Sequence, residues 1–206
     1  MHKALKAVGR PTDAAYLTAV SKNQPWGAIA PVLEAGHRRF GENRVQEAME
    51  RWAPVRGGYP DLELRLIGPL QSNKAAEAVG FFDVIESLDR EKIVRVAADE
   101  IQTQGRHPVL YVQVNIGEEA QKSGVLPLEA DAFLTAAREV YGLTIAGLMC
   151  IPPVEGPRGP YFALLHKIAE RNGIGHLSMG MSDDYETALA FGSNEIRVGS
   201  AIFGAR

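Results

Sequence analysis

The sequence contains a single cysteine, Cys150, among 206 residues. One thiol cannot form an internal disulfide, and the five histidines are scattered rather than spaced as zinc ligands. The scarcity of cysteine argues against a disulfide scaffold and a structural zinc site, and we assign no metal ligand. It is typical of a protein from a reducing cytoplasm.

Long apolar runs and a strong charge of one sign are also missing. No stretch of about 18 consecutive apolar residues occurs, and the basic N-terminal segment lacks the apolar core of a signal peptide. The 22 basic and 25 acidic residues leave a formal net charge of -3, too small for bulk attraction to nucleic acid. We therefore expect a cytoplasmic protein that binds neither membranes nor nucleic acids.

Strand and helix patterns alternate along nearly the whole chain. Eight short extended runs are predicted as strands, at residues 15–20, 38–40, 62–67, 82–85, 108–115, 143–148, 174–178 and 195–198. The segments between them carry apolar residues three or four apart, as at Ile93, Ala97 and Ile101, and several end at a glycine such as Gly105. This pattern predicts an α/β fold, a single (β/α)₈ TIM barrel over residues 1–206, with 1–14 as an N-terminal arm or partial helix.

An open, doubly wound sheet is the alternative architecture. It is less favoured because no G-x-G-x-x-G follows the first predicted strand, which ends instead in Ala19-Val20-Ser21-Lys22. In a TIM barrel the functional groups gather at the C-terminal ends of the strands. The residues that follow each predicted strand are therefore the candidates for a site.

Lys22 follows the first strand, so a barrel would place its amine at the rim. A solvated surface lysine is the ordinary interpretation of such a residue. Partial desolvation at an apolar rim, however, favours the neutral amine, which can attack an aldehyde to form a Schiff base. Lys22 is therefore a candidate for covalent ligand binding.

Loops after the seventh and eighth strands often bind phosphate in barrels of this kind. Gly199 permits a close approach of the backbone to an oxyanion, Ser200 offers an amide and a hydroxyl, and Ser178 can add another hydroxyl. Ordinary turns are the alternative interpretation of both segments. The following Ser182 and its two aspartates are interpreted as the N-cap and first turn of the next helix.

Arg197 precedes Gly199 by two residues, so both side chains can face the barrel mouth. A pairing with a carboxylate would explain an inward arginine. If a pyridine-type ligand has its phosphate at Gly199, the guanidinium would instead donate to the ring nitrogen. Asn43, after the second strand, is a further candidate ligand contact, and the loop at Lys122-Ser123-Gly124 is a candidate lid.

Several motifs occur together in an order that resembles a known family. They are Ala19-Val20-Ser21-Lys22, Phe40-Gly41-Glu42-Asn43 with Val45-Gln46-Glu47, residues 67–74, Lys122-Ser123-Gly124, Gly147-Leu148-Met149, residues 177–184 and residues 197–206. The set resembles the pyridoxal phosphate homeostasis proteins, also called the YggS or PROSC family. One departure is Arg65 on the third strand, where members commonly carry a histidine.

The resemblance implies a barrel similar to the N-terminal domain of alanine racemase. It also implies pyridoxal 5'-phosphate (PLP) as the cofactor, joined to Lys22, with Arg197 at the pyridine nitrogen and Asn43 lining the pocket. Phosphate contacts would come from Ser178, Gly199 and Ser200. We expect a monomer that buffers PLP in vitamin B6 homeostasis and delivers it to apo PLP-dependent enzymes.

Two enzymatic interpretations stay open. A single-domain PLP-dependent racemase or lyase would use the same lysine, but racemisation needs an acid or base on each face of the cofactor. Cys150 is the only thiol that could serve as the second base, but a small buried cysteine is the ordinary interpretation, so we assign no catalytic residue. An aldolase-type barrel acting on a phosphorylated sugar would keep the lysine and the phosphate site without PLP.

Overall fold

The strands form a closed parallel barrel in a computed structural model that describes residues 1–204. Ala205 and Arg206, at the end of the predicted 1–206 domain, lie outside the described residues. Each strand pairs with its sequence neighbour, and the barrel closes where the eighth strand pairs with the first, Ala19 facing Val198. The predicted single (β/α)₈ TIM barrel is therefore confirmed, and the open sheet is excluded.

The strands and helices alternate as follows. The strands are β1 (Tyr16–Val20), β2 (Arg39–Glu42), β3 (Glu63–Leu66), β4 (Val84–Leu88), β5 (Val109–Val114), β6 (Ile145–Cys150), β7 (His176–Ser178) and β8 (Glu195–Val198). The helices are α1 (His2–Ala7), α2 (Trp26–Glu34), α3 (Val45–Arg56), α4 (Ala75–Phe81), α5 (Glu91–Gln104), α6 (Ala130–Glu139), α7 (Gly159–Arg171), α8 (Tyr185–Ala190) and α9 (Ser200–Phe203).

The main hydrophobic core lies between the barrel and its surrounding helices. Side chains alternate across each strand, so Ala19 and Phe40 face outward into this core while Thr18 and Arg65 face the barrel interior. Helix α5 buries Ile93 against the core and ends at Gly105 in the left-handed conformation, with φ of 63°. The other side of the strands faces the barrel interior, where a small apolar cluster of Val84, Tyr111 and Met149 accompanies polar side chains such as Thr18 and Arg65.

The predicted cap of α8 is wrong. Helix α8 begins at Tyr185 with Asp184 as its N-cap, so Ser182 lies outside the helix. The Asp184 carboxylate accepts a hydrogen bond from the Met181 amide at 2.6 Å, and this contact folds the connection into a turn before the helix starts. At α4 a short 3₁₀ turn, Ser72–Lys74, precedes the helix, and Lys74 occupies the N-cap.

The N-terminal segment is ordered against the end of the barrel. Helix α1 buries Leu5 in a cluster with Leu189 and Ile196. Arg10 then donates hydrogen bonds to the carbonyls of Leu189 at 2.7 Å and Ser193 at 2.8 Å. Across residues 1–204, no helix combines the length and apolar character needed to cross a bilayer.

Candidate functional site

A cleft of about 660 Å³ opens at the C-terminal ends of the strands. This volume lies within the range of about 300–1,000 Å³ that is usual for small-molecule sites. The cleft brings together five of the predicted site residues: Lys22, Asn43, Arg197, Gly199 and Ser200. The loops after β1, β2 and β8 therefore converge as the barrel prediction required.

The cleft is polar on the side formed by β8. Arg197 is 4% exposed, and it donates one hydrogen bond to the Ser178 hydroxyl at 2.6 Å and one to the Cys150 carbonyl at 2.8 Å. Both acceptors are neutral, so these contacts orient the guanidinium without a direct ion pair, while its charge also acts on the nearby Glu86 carboxylate. The guanidinium can still donate to an electron-rich atom inside the cleft.

Ser178 lies below the cleft rather than in its lining. Its side chain is fully buried, accepts the bond from Arg197, and donates to Glu86 at 2.6 Å. The structure thus places Ser178 where it holds the arginine, apart from Gly199 and Ser200.

Hydroxyl groups line the cleft at the beginning of α9. Ser200 donates a hydrogen bond to Ser182 at 2.9 Å, and both residues line the cleft beside Gly199. The amides of the first turn, at Ser200 and Ala201, have no intrahelical acceptor. Ser182 is a cleft-lining residue that the sequence analysis interpreted only as a helix cap. Its place in a Gly-Met-Ser segment directly after β7 was the available signal.

The opposite wall depends on a close approach of two loops. A Cβ atom on Gly68 would lie 2.2 Å from the carbonyl oxygen of Asn43, so only glycine fits there. This contact brings the ends of β2 and β3 together, and both residues line the cleft.

The loop after β5 folds over the mouth of the barrel. Lys122 donates to the Pro152 carbonyl at 3.0 Å and pairs with Glu119. Gln113 donates to the Ser123 carbonyl at 3.0 Å. Lys122 and Ser123 both line the cleft.

A buried charged cluster lies beneath the cleft, in the barrel interior. Arg65 donates to Glu86 at 2.7 Å and to Glu195 at 2.6 Å, and Glu195 accepts a further bond from Thr18 at 2.5 Å. Arg65 therefore points inward, but it does not line the cleft. Burial opposes ionisation of Glu86, yet Arg65 and Arg197 hold the pKa of that carboxyl below its usual value.

Glu195 behaves in the opposite way. Burial, together with the neighbouring charge of Glu86, raises the pKa of Glu195 from 4.5 to about 8. Between these two values the folded state retains a proton that the unfolded state releases. The contribution of Glu195 to stability is therefore complete below about pH 4.5 and is lost as the pH rises towards 8.

Replacing Glu195 with glutamine is expected to flatten this part of the stability profile. The amide cannot titrate, so the free energy of unfolding of Glu195→Gln, relative to the unaltered protein, should rise as the pH increases from 5 to 8. Urea denaturation at several pH values measures the difference. A constant offset between the two proteins would contradict the assignment.

The Cys150 thiol does not lie in the cleft, where a second base would be needed. Its thiol lies in the hydrophobic core with no exposure, and burial raises its pKa to about 12. Only its backbone carbonyl is used, as an acceptor for Arg197. Within residues 1–204, no group of three or more histidine, cysteine, aspartate or glutamate side chains is arranged to hold a metal ion.

Comparisons with known proteins agree with this geometry. The family described as "Alanine racemase, N-terminal domain" matches residues 3–206. The "Pyridoxal phosphate homeostasis protein" of Escherichia coli K12 is 38% identical over 207 residues, covering 96% of this chain and 88% of that protein.

Solved structures extend the similarity to three dimensions. PipY of Synechococcus elongatus, solved without PLP, superimposes with a TM-score of 0.88 at 36% identity, covering 98% of this chain and 99% of PipY. The structure of PipY with PLP bound gives a TM-score of 0.84 at 35% identity over the same shares. With this degree of identity over nearly its whole length, the chain belongs to the pyridoxal phosphate homeostasis protein family.

Proposed function

We propose that this protein binds PLP in the cleft at the barrel mouth, as an exchangeable Schiff base on Lys22, and acts in vitamin B6 homeostasis. It buffers the cofactor and passes it to apo PLP-dependent enzymes, as a monomer in the cytoplasm. One observation carries the proposal: a lysine amine, a buried guanidinium with neutral partners, and a cup of serine hydroxyls and glycine backbone lie in one cleft.

The donor set fits the three functional groups of PLP. The cofactor supplies an aldehyde, a pyridine nitrogen and a phosphate. Lys22 would meet the aldehyde, Arg197 the ring nitrogen, and Gly199 with Ser200 the phosphate. The 2.9 Å bond between Ser200 and Ser182 adds Ser182 to the phosphate contacts. The sequence similarity supports the same ligand, since the relatives are named for PLP and the PipY structure contains it.

Ser178 takes a different part in this proposal from the one first expected. Its hydroxyl is already used by Glu86 and Arg197. We assign it the role of holding Arg197 in place rather than contacting the phosphate directly. Asn43, packed against Gly68, would contact the ring or its substituents from the opposite wall.

Arg197 also bears on whether the bound cofactor does chemistry. A guanidinium stays protonated, so it donates to the pyridine nitrogen and leaves that nitrogen without a proton. An unprotonated ring withdraws electrons weakly, which suits storage better than catalysis. The thiol of Cys150 is buried away from the cleft, so the second base that a racemase needs is not supplied by it.

Loading the protein with PLP and adding a panel of L-amino acids tests the storage role. We expect a visible absorbance band from the protein-bound cofactor and no change in the chirality of any amino acid. Turnover that disappears in Lys22→Ala would favour the racemase or lyase instead. A protein that binds no PLP and shows no visible band would favour the aldolase-type alternative.

Arg197→Ala is expected to weaken PLP retention by about tenfold to a hundredfold, the usual effect of losing a hydrogen bond to a charged group. The protein should still fold, because Glu86 keeps its direct ion pair with Arg65 when Arg197 is removed. Equilibrium dialysis measures the affinity, and circular dichroism monitors the fold. An unchanged affinity for PLP would remove the proposed contact.

A further inference from the structure

We infer that Glu42 is a positioning residue for Lys22: it fixes the turn that carries the lysine and so determines how readily the amine joins the cofactor. This inference rests on the proposed function, since it concerns the same lysine. Glu42 does not line the cleft. It would act through the backbone of residues 21–24.

Lys22 occupies the second position of a tight four-residue turn. The amide of Gln24 donates to the carbonyl of Ser21 at 3.1 Å, which closes the turn. Asn23, at the third position, has φ of 59°, in the left-handed region that this type of turn requires. A side chain at such a position changes direction whenever either end of the turn shifts.

Glu42 holds the first end of the turn. It is the last residue of β2 and is fully buried, and its Oε1 accepts a hydrogen bond from the Ser21 hydroxyl at 2.7 Å. The same oxygen accepts bonds from Trp52 Nε1 at 2.9 Å and from Arg51 at 2.7 Å. Two residues of helix α3 thereby fix the carboxylate that accepts the hydrogen bond from Ser21.

Arg51 holds the other end. While one nitrogen of its guanidinium contacts Glu42, another donates to the carbonyl of Gln24 at 3.3 Å. The Glu42–Arg51 pair therefore fastens the residue before Lys22 and the second residue after it. The turn is clamped at both ends, with the lysine side chain between them directed to the cleft.

The energetics favour positioning over stability as the role of Glu42. Its second oxygen, Oε2, is buried with no hydrogen-bond partner in the described part of the chain. Burying an ion pair with an unsatisfied oxygen contributes little net stability, because desolvation offsets the attraction. Fixing the lysine, by contrast, directly affects its reaction with the cofactor, since attack on an aldehyde requires the amine within a narrow range of distance and angle.

Ser21→Ala and Glu42→Gln separate positioning from ligand recognition. The first removes the bond to the turn and leaves the Glu42–Arg51 pair intact, and the second removes the carboxylate charge while keeping its shape. Two ligands are compared by equilibrium dialysis: PLP, and pyridoxamine 5'-phosphate, which has the same ring and phosphate but no aldehyde. We expect each variant to bind PLP about tenfold more weakly, the scale of one lost hydrogen bond to a charged group, and pyridoxamine 5'-phosphate equally well. Borohydride reduction should trap correspondingly less cofactor on Lys22.

Ser87→Ala is the matched control, because Ser87 is a fully buried serine whose hydroxyl contacts no partner in the described structure. It should bind both ligands like the unaltered protein. Equal losses of both ligands in Ser21→Ala, or no loss of PLP, would overturn the inference. If Glu42→Gln fails to fold, Ser21→Ala decides the question alone. If the unaltered protein is not trapped at Lys22, the proposed function fails instead.

Discussion

Lys22→Ala is expected to lose covalent attachment of PLP entirely. Lys22 follows the end of β1 and lines the same cleft as Arg197. Without it the cofactor keeps only its noncovalent contacts, so retention should fall on the order of a hundredfold. Borohydride reduction followed by peptide mass mapping measures the adduct, and absorbance reports the loss of the visible band.

Two controls make this result specific. Lys22→Arg keeps the positive charge but cannot form a Schiff base, so it should also lose the adduct. Lys167→Ala, on the outer helix α7, should keep it. Lys122 also lines the cleft, yet it is held by the Pro152 carbonyl and Glu119. An adduct mapped to Lys122 in the unaltered protein would refute the assignment of Lys22.

The position of Arg197 could be predicted because strand geometry alone determines it. Residues two apart on a strand face the same side, so Arg197 and Gly199 were expected to be able to share the barrel mouth, and both line the cleft. Lys22 followed in the same way from its place after β1. These predictions needed only the period of the strand and the rule that barrel sites lie at the C-terminal ends.

Ser178 shows where such reasoning ends. The sequence gives the direction of a side chain but not its depth along the barrel, which depends on the stagger between neighbouring strands. Ser178 pairs with Glu195 in the register of β7 and β8. It is therefore level with Glu195, two residues below Arg197 and roughly 13 Å of strand below Gly199. That depth makes it a neighbour of the arginine.

The charged interior was likewise beyond sequence reasoning. Arg65 and Glu195 are 130 positions apart and meet only because the barrel closes. Interiors of TIM barrels are usually filled by branched apolar residues, so the pattern gave no reason to expect a buried arginine between two carboxylates. The predicted cap at Ser182 was wrong for a related reason, since the Met181 amide bonds to Asp184 and the helix begins only after that turn.

Arg65→Met is expected to destabilise the protein by about 3–5 kcal/mol, the usual cost of breaking a buried ion pair by removing one partner. Methionine is similar in length, so the main loss is the positive charge of Arg65, which pairs with Glu86 at 2.7 Å, Glu195 at 2.6 Å and the partly exposed Glu63 at 2.6 Å. The exposed pair of Arg171 and Asp131 provides the control. Arg171→Met should change the free energy of unfolding by at most about 1 kcal/mol.

The pH dependence of this loss distinguishes a charge effect from a packing effect. Without Arg65, burial favours the protonated forms of Glu86 and Glu195, so their pKa values should rise in the variant. Destabilisation should then be smaller at pH 5.5, where protonation relieves the buried charge, and larger at pH 8.5. Urea denaturation at both pH values measures the free energy of unfolding of the variant and of the unaltered protein. Addition of Glu195→Gln should recover part of the loss at pH 8.5, because one of the two buried carboxyls that costs free energy to keep protonated at that pH is then absent. A loss that is the same at both pH values would mean that Arg65 acts by filling space, and the interior cluster would have no electrostatic role.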